Sequence, residues 1–321
     1  MKAGPVVTVL HDGTEPDADS LRPVLEQATV RSVDGAGLAG ALPGAEALFV
    51  YDFQSTAVPA AWPHADSLRW VHVGGTGVDA VMFDDLIASD VEVTNTRGLF
   101  DRPIAEYVLA QILNFAKDLP GSIRLQLDHQ WEHRESERIA GASALVVGTG
   151  SIGRAIARLL TAVGMRVHGL GRSPREDDPD FGTVTTDLHA ELPAADYVVC
   201  VTPLTPQTRH MFDASAFAAM KPHARFVNVG RGESVVTDDL VDALRSGAVA
   251  GAALDVVDPE PLPAGHPLWD LPNVVLTPHN SGDFIGWRPE IVAAFTDNFQ
   301  RWITGRPLQN VVDKKLGYVP S

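Results

Sequence analysis

The sequence predicts an α/β protein built from doubly wound parallel sheets, each covered by helices on both faces. Three observations predict it. Short, near-continuous apolar runs of strand length recur along the chain, segments with helical spacing lie between many of them, and no internal repeat or low-complexity tract interrupts the alternation. A strand buried on both faces reads as an unbroken apolar run, because neither face needs polar residues; that is the mark of a parallel sheet sandwiched between helices. The 321 residues amount to about two domains' worth of chain.

The first run, VVTVL at 6–10, stops at His11-Asp12-Gly13. It is shorter than the apolar core of a signal peptide and has no small-residue cleavage site behind it, so it is expected to be the first buried strand of a cytoplasmic protein. Strand-like runs follow at 47–51 and 70–73. A long helical pattern, IAEYVLAQILNFAKDL, occupies 104–119 and leads into a polar stretch at 128–138. A second series begins at Ala142, with strands expected at 144–148, 166–170, 197–201, 225–229 and 249–254 and helices at 153–163 and 238–245. One amphipathic helix at 289–303 and a tail close the chain. Two compact units joined by long helices account for this pattern better than one large sheet.

Composition excludes several classes. The net charge of −16, from 41 acidic and 25 basic residues, opposes binding to nucleic acid or an anionic membrane surface. No apolar run reaches the ~18 residues of a membrane-spanning helix. The single cysteine, Cys200, excludes an internal disulfide framework and a thiolate cluster, and inside a strand run it is expected to be a small core hydrophobe. His129, Glu132 and His133 lack a second set of ligands, so no metal is expected.

The chemistry begins at ASALVVGTGSIGRAIARLL, where Gly148, Gly150 and Gly153 follow a strand and open a helix in GxGxxG spacing. Gly148 permits the tight turn, Gly150 lets the backbone approach a pyrophosphate, and Gly153 lets helix and strand pack closely. Ser151 and Ile152 then present the helix N-terminus to the phosphates. An NAD site wants an acidic residue at the end of the next strand, to hold the ribose 2′-hydroxyl. This chain reads HGLGRSPRE there, placing Arg172 and Ser173 in a position suited to a 2′-phosphate. NADP is therefore expected, with NAD as the alternative in which Arg172 caps a solvated loop and Glu176 or Asp177 reaches the ribose.

Three further segments carry polar residues that packing does not explain. FVNVGRGESV presents Arg231, ALDVVDPEPL presents Asp255 and Glu260, and VVLTPHNSG presents His279, each where a strand opens into a loop. Ligands of open α/β sheets bind at that edge. A histidine beside a carboxylate is a general acid–base pair. An arginine can grip a carboxylate through two parallel N–H bonds and polarise the adjacent carbonyl. Taken singly, Arg231 reads as a surface ion pair, Glu260 as a solvated loop residue and His279 as a helix cap; their joint placement favours an active site.

The run from Asp213 through MKPHARFVNVGRGESVVTDDLVDALRSGAVAGAALDVVDPEPLPAGHPLWDLPNVVLTPHNSG resembles the long signature of the D-isomer-specific 2-hydroxyacid dehydrogenases. VGGTGVD at 73–79, the IAEYVL helix, PLTPQT at 203–208 and the closing GRPLQNVVD agree with it, so the resemblance spans nearly the whole chain. It implies that Arg231 binds the substrate carboxylate and carbonyl oxygen, that His279 donates the proton with Glu260 as its partner, and that Asp255 holds the nicotinamide carboxamide. Val201, Thr202 and Pro203 would line the adenosine side. Thr208, Val229 and Gly230 would join Arg231 and His279 near the cofactor, and the backbone of Val73, Gly74 and Gly75 would meet the substrate carboxylate. The resemblance further implies a discontinuous, flavodoxin-like substrate domain at 1–99 plus 288–321 and a Rossmann nucleotide domain at 100–287. The active site would lie in a hinged cleft, and a homodimer would form through an arm at about 119–140. Trp131 in that arm is expected to pack locally rather than enter a partner's site.

Gly171-Arg172-Ser173 resembles the NADPH-using glyoxylate and hydroxypyruvate reductases, and a glutamate at 260, where formate dehydrogenases of the superfamily carry glutamine, counts against formate. The expected activity is NAD(P)H-dependent reduction of a small 2-oxo acid to the D-2-hydroxy acid. Two alternatives stand beside it. One is the same chemistry on a branched or aromatic oxo acid, decided around Tyr51, Thr76, Leu99 and Phe100; the other is a non-catalytic, dinucleotide-sensing protein resembling a corepressor.

Overall fold

The computed structural model describes residues 4–320. It divides into two compact units, residues 1–100 with 284–321 and residues 101–283. The family resemblance implies crossings at about 99/100 and 287/288.

The first unit runs β1 (Val6–Leu10), α1 (Ala18–Leu25), β2 (Thr29–Val33), α2 (Leu38–Ala41), β3 (Ala47–Val50), α3 (Ala57–Ala61), β4 (Trp70–Val73), α4 (Asp84–Ala88) and β5 (Glu92–Asn95). The five strands are parallel in the order β2-β1-β3-β4-β5, the flavodoxin-like winding. The central strands β1, β3 and β4 are the legible ones, being almost wholly buried. The edge strands β2 and β5 escaped prediction. TVRSV carries Arg31 and Ser32 and has no fully buried residue, and EVTN has one apolar residue in four.

The second unit opens with α5 (Asp101–Ala116) and α6 (Leu119–Leu127). The helix expected over 104–119 is α5, which stops at Ala116, and α6 is a second helix that the sequence reading did not contain. Asp118 takes a left-handed backbone, φ 43°, and its carboxylate caps α6 by accepting the Gly121 N–H at 3.1 Å. Leu119, Ile123 and Leu127 of α6 keep helical spacing, yet all three are exposed, and Trp131 beyond them is fully exposed. Residues 128–140 contain no regular element. They are tied down by Arg134 to Asp118 and Ser122, each at 2.7 Å, and by the paired bonds of Arg225 to the Glu137 carboxylate at 2.9 and 2.6 Å.

The nucleotide-type sheet follows: β6 (Ser143–Val147), α7 (Ser151–Ala162), β7 (Arg166–Leu170), β8 (Arg175–Asp178), β9 (Gly182–Thr185), α8 (Leu188–Glu191), β10 (Tyr197–Cys200), α9 (Ala214–Ala219), β11 (Arg225–Asn228), α10 (Thr237–Ser246), β12 (Gly251–Leu254) and β13 (Val274–Leu276). Its order is β13-β12-β11-β10-β6-β7-β9-β8. Seven strands are parallel, and β8 pairs antiparallel with β9 at the edge of the sheet. REDD has no apolar residue to announce a strand; it is recruited to the edge by a tight return into β9. Strand order reverses at β6, the switch point at which such sheets bind ligands.

The chain ends back in the first unit with α11 (Trp287–Ile303). Phe295 of α11 stacks on Phe49 at 4.1 Å and on Trp70 at 5.3 Å, so this late segment completes a core begun at β1 and makes the unit discontinuous. Among the described residues no helix is long and apolar enough to cross a membrane.

Candidate active site and cofactor loop

The turn after β6 is shaped by what its glycines exclude. Gly148 sits at φ 115°, and a Cβ there would lie 2.6 Å from the Val201 carbonyl oxygen; one on Gly153 would run into the Gly148 oxygen. Side chains are thus barred where strand, turn and helix press together. Gly150, the N-cap of the twelve-residue α7, has nothing within 4 Å of its Cβ position. An open backbone at a helix N-terminus, with free N–H groups and a partial positive charge, fits the phosphates of a dinucleotide. Of the next two residues, Ser151 donates to Asp101 Oδ1 at 3.1 Å and Ile152 is partly buried.

Arg231, Glu260 and His279 follow three adjacent parallel strands, β11, β12 and β13, so their loops leave one edge of the sheet together. His279 Nδ1 lies 2.9 Å from Glu260 Oε2, with each side chain about one-third exposed (30% and 35%). A carboxylate only accepts, so Nδ1 carries the proton of this bond and Nε2 is the nitrogen left to act. Burial pushes the Glu260 carboxyl up. The bond and charge of His279, the Val257 N–H at 3.0 Å on Oε1 and the charge of Arg231 outweigh it, holding the carboxyl below the usual glutamate range. Arg231 is extended and donates from Nη1 to the Gly230 oxygen at 2.7 Å.

The backbone around this trio is held by two buried polar residues. Asn228 shapes the Arg231 turn, accepting the Gly230 N–H and donating to the Arg231 oxygen, both at 3.0 Å. Asp255, 2% exposed, takes the hydroxyl of Thr277 and the N–H of Asn280 on Oδ1 at 2.6 and 2.9 Å, and the N–H of Ser281 on Oδ2 at 3.0 Å.

The family model for the D-isomer specific 2-hydroxyacid dehydrogenase, NAD binding domain, matches residues 109–281, more than half of the chain and wholly within the second unit. The chain belongs to the D-isomer specific 2-hydroxyacid dehydrogenase family. It is 30% identical to the human glyoxylate reductase/hydroxypyruvate reductase over 249 residues, covering 75% of this chain and 76% of that protein. A family protein of known structure from Aeromonas salmonicida superposes with a TM-score of 0.83 at 32% identity, covering 98% of this chain and all of that one. The NADPH-dependent glyoxylate/hydroxypyruvate reductase of Sinorhizobium meliloti, solved with NADP and sulfate, gives 0.82 at 29% identity with the same coverage of both chains.

In this 2-hydroxyacid dehydrogenase the loop after β7 leaves Arg172 and Ser173 exposed, together with Glu176 and Asp177. Two neighbours were missed. Arg175 donates to Thr149 of the glycine loop at 2.8 Å and to Asp178 at 3.0 Å. The acidic residue turned inward is Asp178, whose carboxylate pairs with both terminal nitrogens of Arg154 at 2.9 Å. Hydrogen bonding from Arg154 outweighs burial and holds that carboxyl far below the usual range. Counting residues from the strand end could not find either, since the β8 return brings them back to the loop.

Val201, Thr202 and Pro203 follow β10, with Thr202 buried; Val229 is buried and donates to the Cys200 oxygen at 3.0 Å. The Thr208 hydroxyl is 2.7 Å from the Pro203 oxygen and receives the Thr205 N–H at 2.8 Å, so it closes its own loop. In the first unit Val73 is buried at the end of β4. The Gly74 N–H there is bound to the Val50 oxygen at 2.9 Å, and Phe53 lies against Gly75.

Proposed function

We propose that this enzyme reduces a small 2-oxo acid to the D-2-hydroxy acid, using NADPH in preference to NADH. The observation that carries the reading is the 2.9 Å His279–Glu260 pair on the loops beside Arg231. Nicotinamide, when bound, supplies the hydride. Arg231 grips the substrate carboxylate and draws electron density toward the carbonyl oxygen. His279 gives that oxygen its proton from Nε2, while the Glu260 carboxylate favours the charged ring and fixes its orientation. Asp255 Oδ2, with one donor of the chain on it, keeps capacity for the carboxamide. Val73, Gly74 and Gly75 are read as substrate-binding backbone from the family resemblance.

The NADP preference is supported by Arg172 and Ser173 after β7, by Arg175 beside the glycine loop, and by the pairing of the inward Asp178 carboxylate with Arg154 and Arg175, which offsets its repulsion of a 2′-phosphate. The test is loss of reduced-nicotinamide absorbance with glyoxylate, hydroxypyruvate, pyruvate and phenylpyruvate. NADPH should exceed NADH in kcat/KM, and Arg172→Ala should lower the NADPH value by about tenfold, as loss of a charge-assisted bond implies, with NADH little affected. Preference for NADH would discard the cofactor assignment. Binding of NADPH without turnover of any acid would favour the sensing alternative over the enzyme.

We also read the assembly as a homodimer through α6 and the segment after it. Leu119, Ile123 and Leu127, at spacings of four, form an exposed apolar stripe continued by Trp131, a surface that a second copy would cover. Ile123→Asp with Leu127→Asp should give a monomer in sedimentation velocity at unchanged helix content. An unaltered sedimentation coefficient would place the interface elsewhere.

A further inference from the structure

A hydrogen-bonded chain runs beneath the His279 loop from a residue that touches none of the groups assigned a role above. The Tyr107 hydroxyl of α5 lies 2.7 Å from Thr277 Oγ1, which lies 2.6 Å from Asp255 Oδ1. The donor directions are set by chemistry. The Asp255 carboxylate only accepts, so Thr277 gives it the single hydroxyl proton it has, and Tyr107 must donate to Thr277. Burial pushes the Tyr107 phenol up to about 12, so it keeps the proton it donates. Beyond Asp255 the chain fans out to the Asn280 and Ser281 N–H groups, and the Asp255 carbonyl accepts the His279 N–H at 2.8 Å. His279 itself sits at φ 54°, a left-handed backbone that a side-chain-bearing residue adopts only when its surroundings hold it there.

We propose that Tyr107 and Thr277 are positioning residues that act through Asp255 to lock residues 277–281 in the conformation that presents His279 to Glu260. The proposal rests on the reading of His279 as proton donor. Tyr107 comes from α5, Thr277 from the end of β13 and Asp255 from the end of β12, so the lock ties to α5 the two strands whose loops already meet in the His279–Glu260 pair. Without the Tyr107 hydroxyl, Thr277 is free to rotate away from Asp255. The strained loop then samples conformations in which the imidazole misses both its partner and the carbonyl oxygen.

The test compares Y107F, T277V, T277S and the double variant Y107F/T277V with the wild type and H279A, using NADPH and whichever oxo acid turns over best. Y107F should lower kcat about tenfold, equivalent to about 1.4 kcal/mol of barrier. KM for the oxo acid and Kd for NADPH should stay within about twofold. T277V should match or exceed that loss, T277S should restore kcat to near wild type, and the double variant should be no worse than T277V alone, because the two groups act in series. Should T277V fail to fold, Y107F and T277S suffice. Wild-type kcat in Y107F, a T277S loss as large as that of T277V, additive losses, or a rise in NADPH Kd that tracks the fall in kcat would each overturn the proposal. With H279A inactive, those results leave the His279 reading standing. Wild-type turnover in H279A would remove that reading and this proposal together.

Discussion

Replacing His279 with Ala is expected to lower kcat for oxo-acid reduction by about a thousandfold, in the middle of the range that positioned proton transfer contributes, while NADPH affinity measured by fluorescence titration changes little. The expectation follows from the bond that Nδ1 makes. Because Glu260 occupies that nitrogen at 2.9 Å, the ring is fixed with Nε2 as its acting atom, and alanine removes donor and orientation at once. The companion substitution Glu260→Gln separates the two contributions. A glutamine oxygen can still accept from Nδ1 and orient the ring, but it no longer balances a charged imidazole, so a smaller loss, about tenfold, is expected at neutral pH. The sign of the pH effect is settled by the carboxyl being held below its usual value. Glu260 stays ionised throughout the neutral range, and its contribution to the fold and to the pair is lost only as pH falls through that depressed value. Turnover of the wild type should therefore fall on the acid side as pH drops through that value, a limb that E260Q should lack. Undiminished turnover in H279A, or wild-type kcat in E260Q, would remove the acid–base role.

Most of the strands that could be read are buried on both faces. Val6–Leu10 and Trp70–Val73 have the bounds the apolar runs implied, and β6 and β10 are displaced by a single residue or less at each end; Arg166–Leu170 also has its expected bounds, although only Gly169 and Leu170 are buried. Edge strands pair on one side only and keep polar residues, so β2, β5 and the charged β8 carry no comparable signal. The catalytic candidates were legible for a related reason: loops that leave consecutive parallel neighbours must emerge at one edge, so Arg231, Glu260 and His279 could be grouped without coordinates. What the sequence hid is the support beneath them. Tyr107 precedes Thr277 by 170 positions and looks like one more apolar residue of a helical pattern. Asn228 interrupts FVNVG by a single letter, and Arg175 reaches the glycine loop only because the chain doubles back through β8. Such contacts depend on the three-dimensional path between elements, which periodicity does not encode.

Arg231→Ala is expected to lower kcat/KM for the oxo acid by about 10⁴-fold. Loss of a paired, charge-assisted grip on the carboxylate removes about 1.5–3 kcal/mol of binding per bond, and loss of a donor aimed at the developing oxyanion commonly costs a further ~10²-fold in kcat. Both parameters should therefore move, KM upward and kcat downward, because the contact is made in the ground state and strengthened in the transition state. Arg231→Lys keeps the positive charge but replaces a planar fork by a single point donor, and should recover only part of the loss. The backbone makes this a clean experiment. Asn228 holds the Arg231 carbonyl and the Gly230 N–H through its own side chain, so the turn survives truncation of the guanidinium. The positive charge of Arg231 also helps to hold Glu260 ionised, so in R231A the acidic limb of the pH profile should shift upward, an effect that K rather than A at this position suppresses. A change confined to NADPH affinity, with oxo-acid kinetics intact, would show that the guanidinium serves the cofactor and that another group holds the substrate.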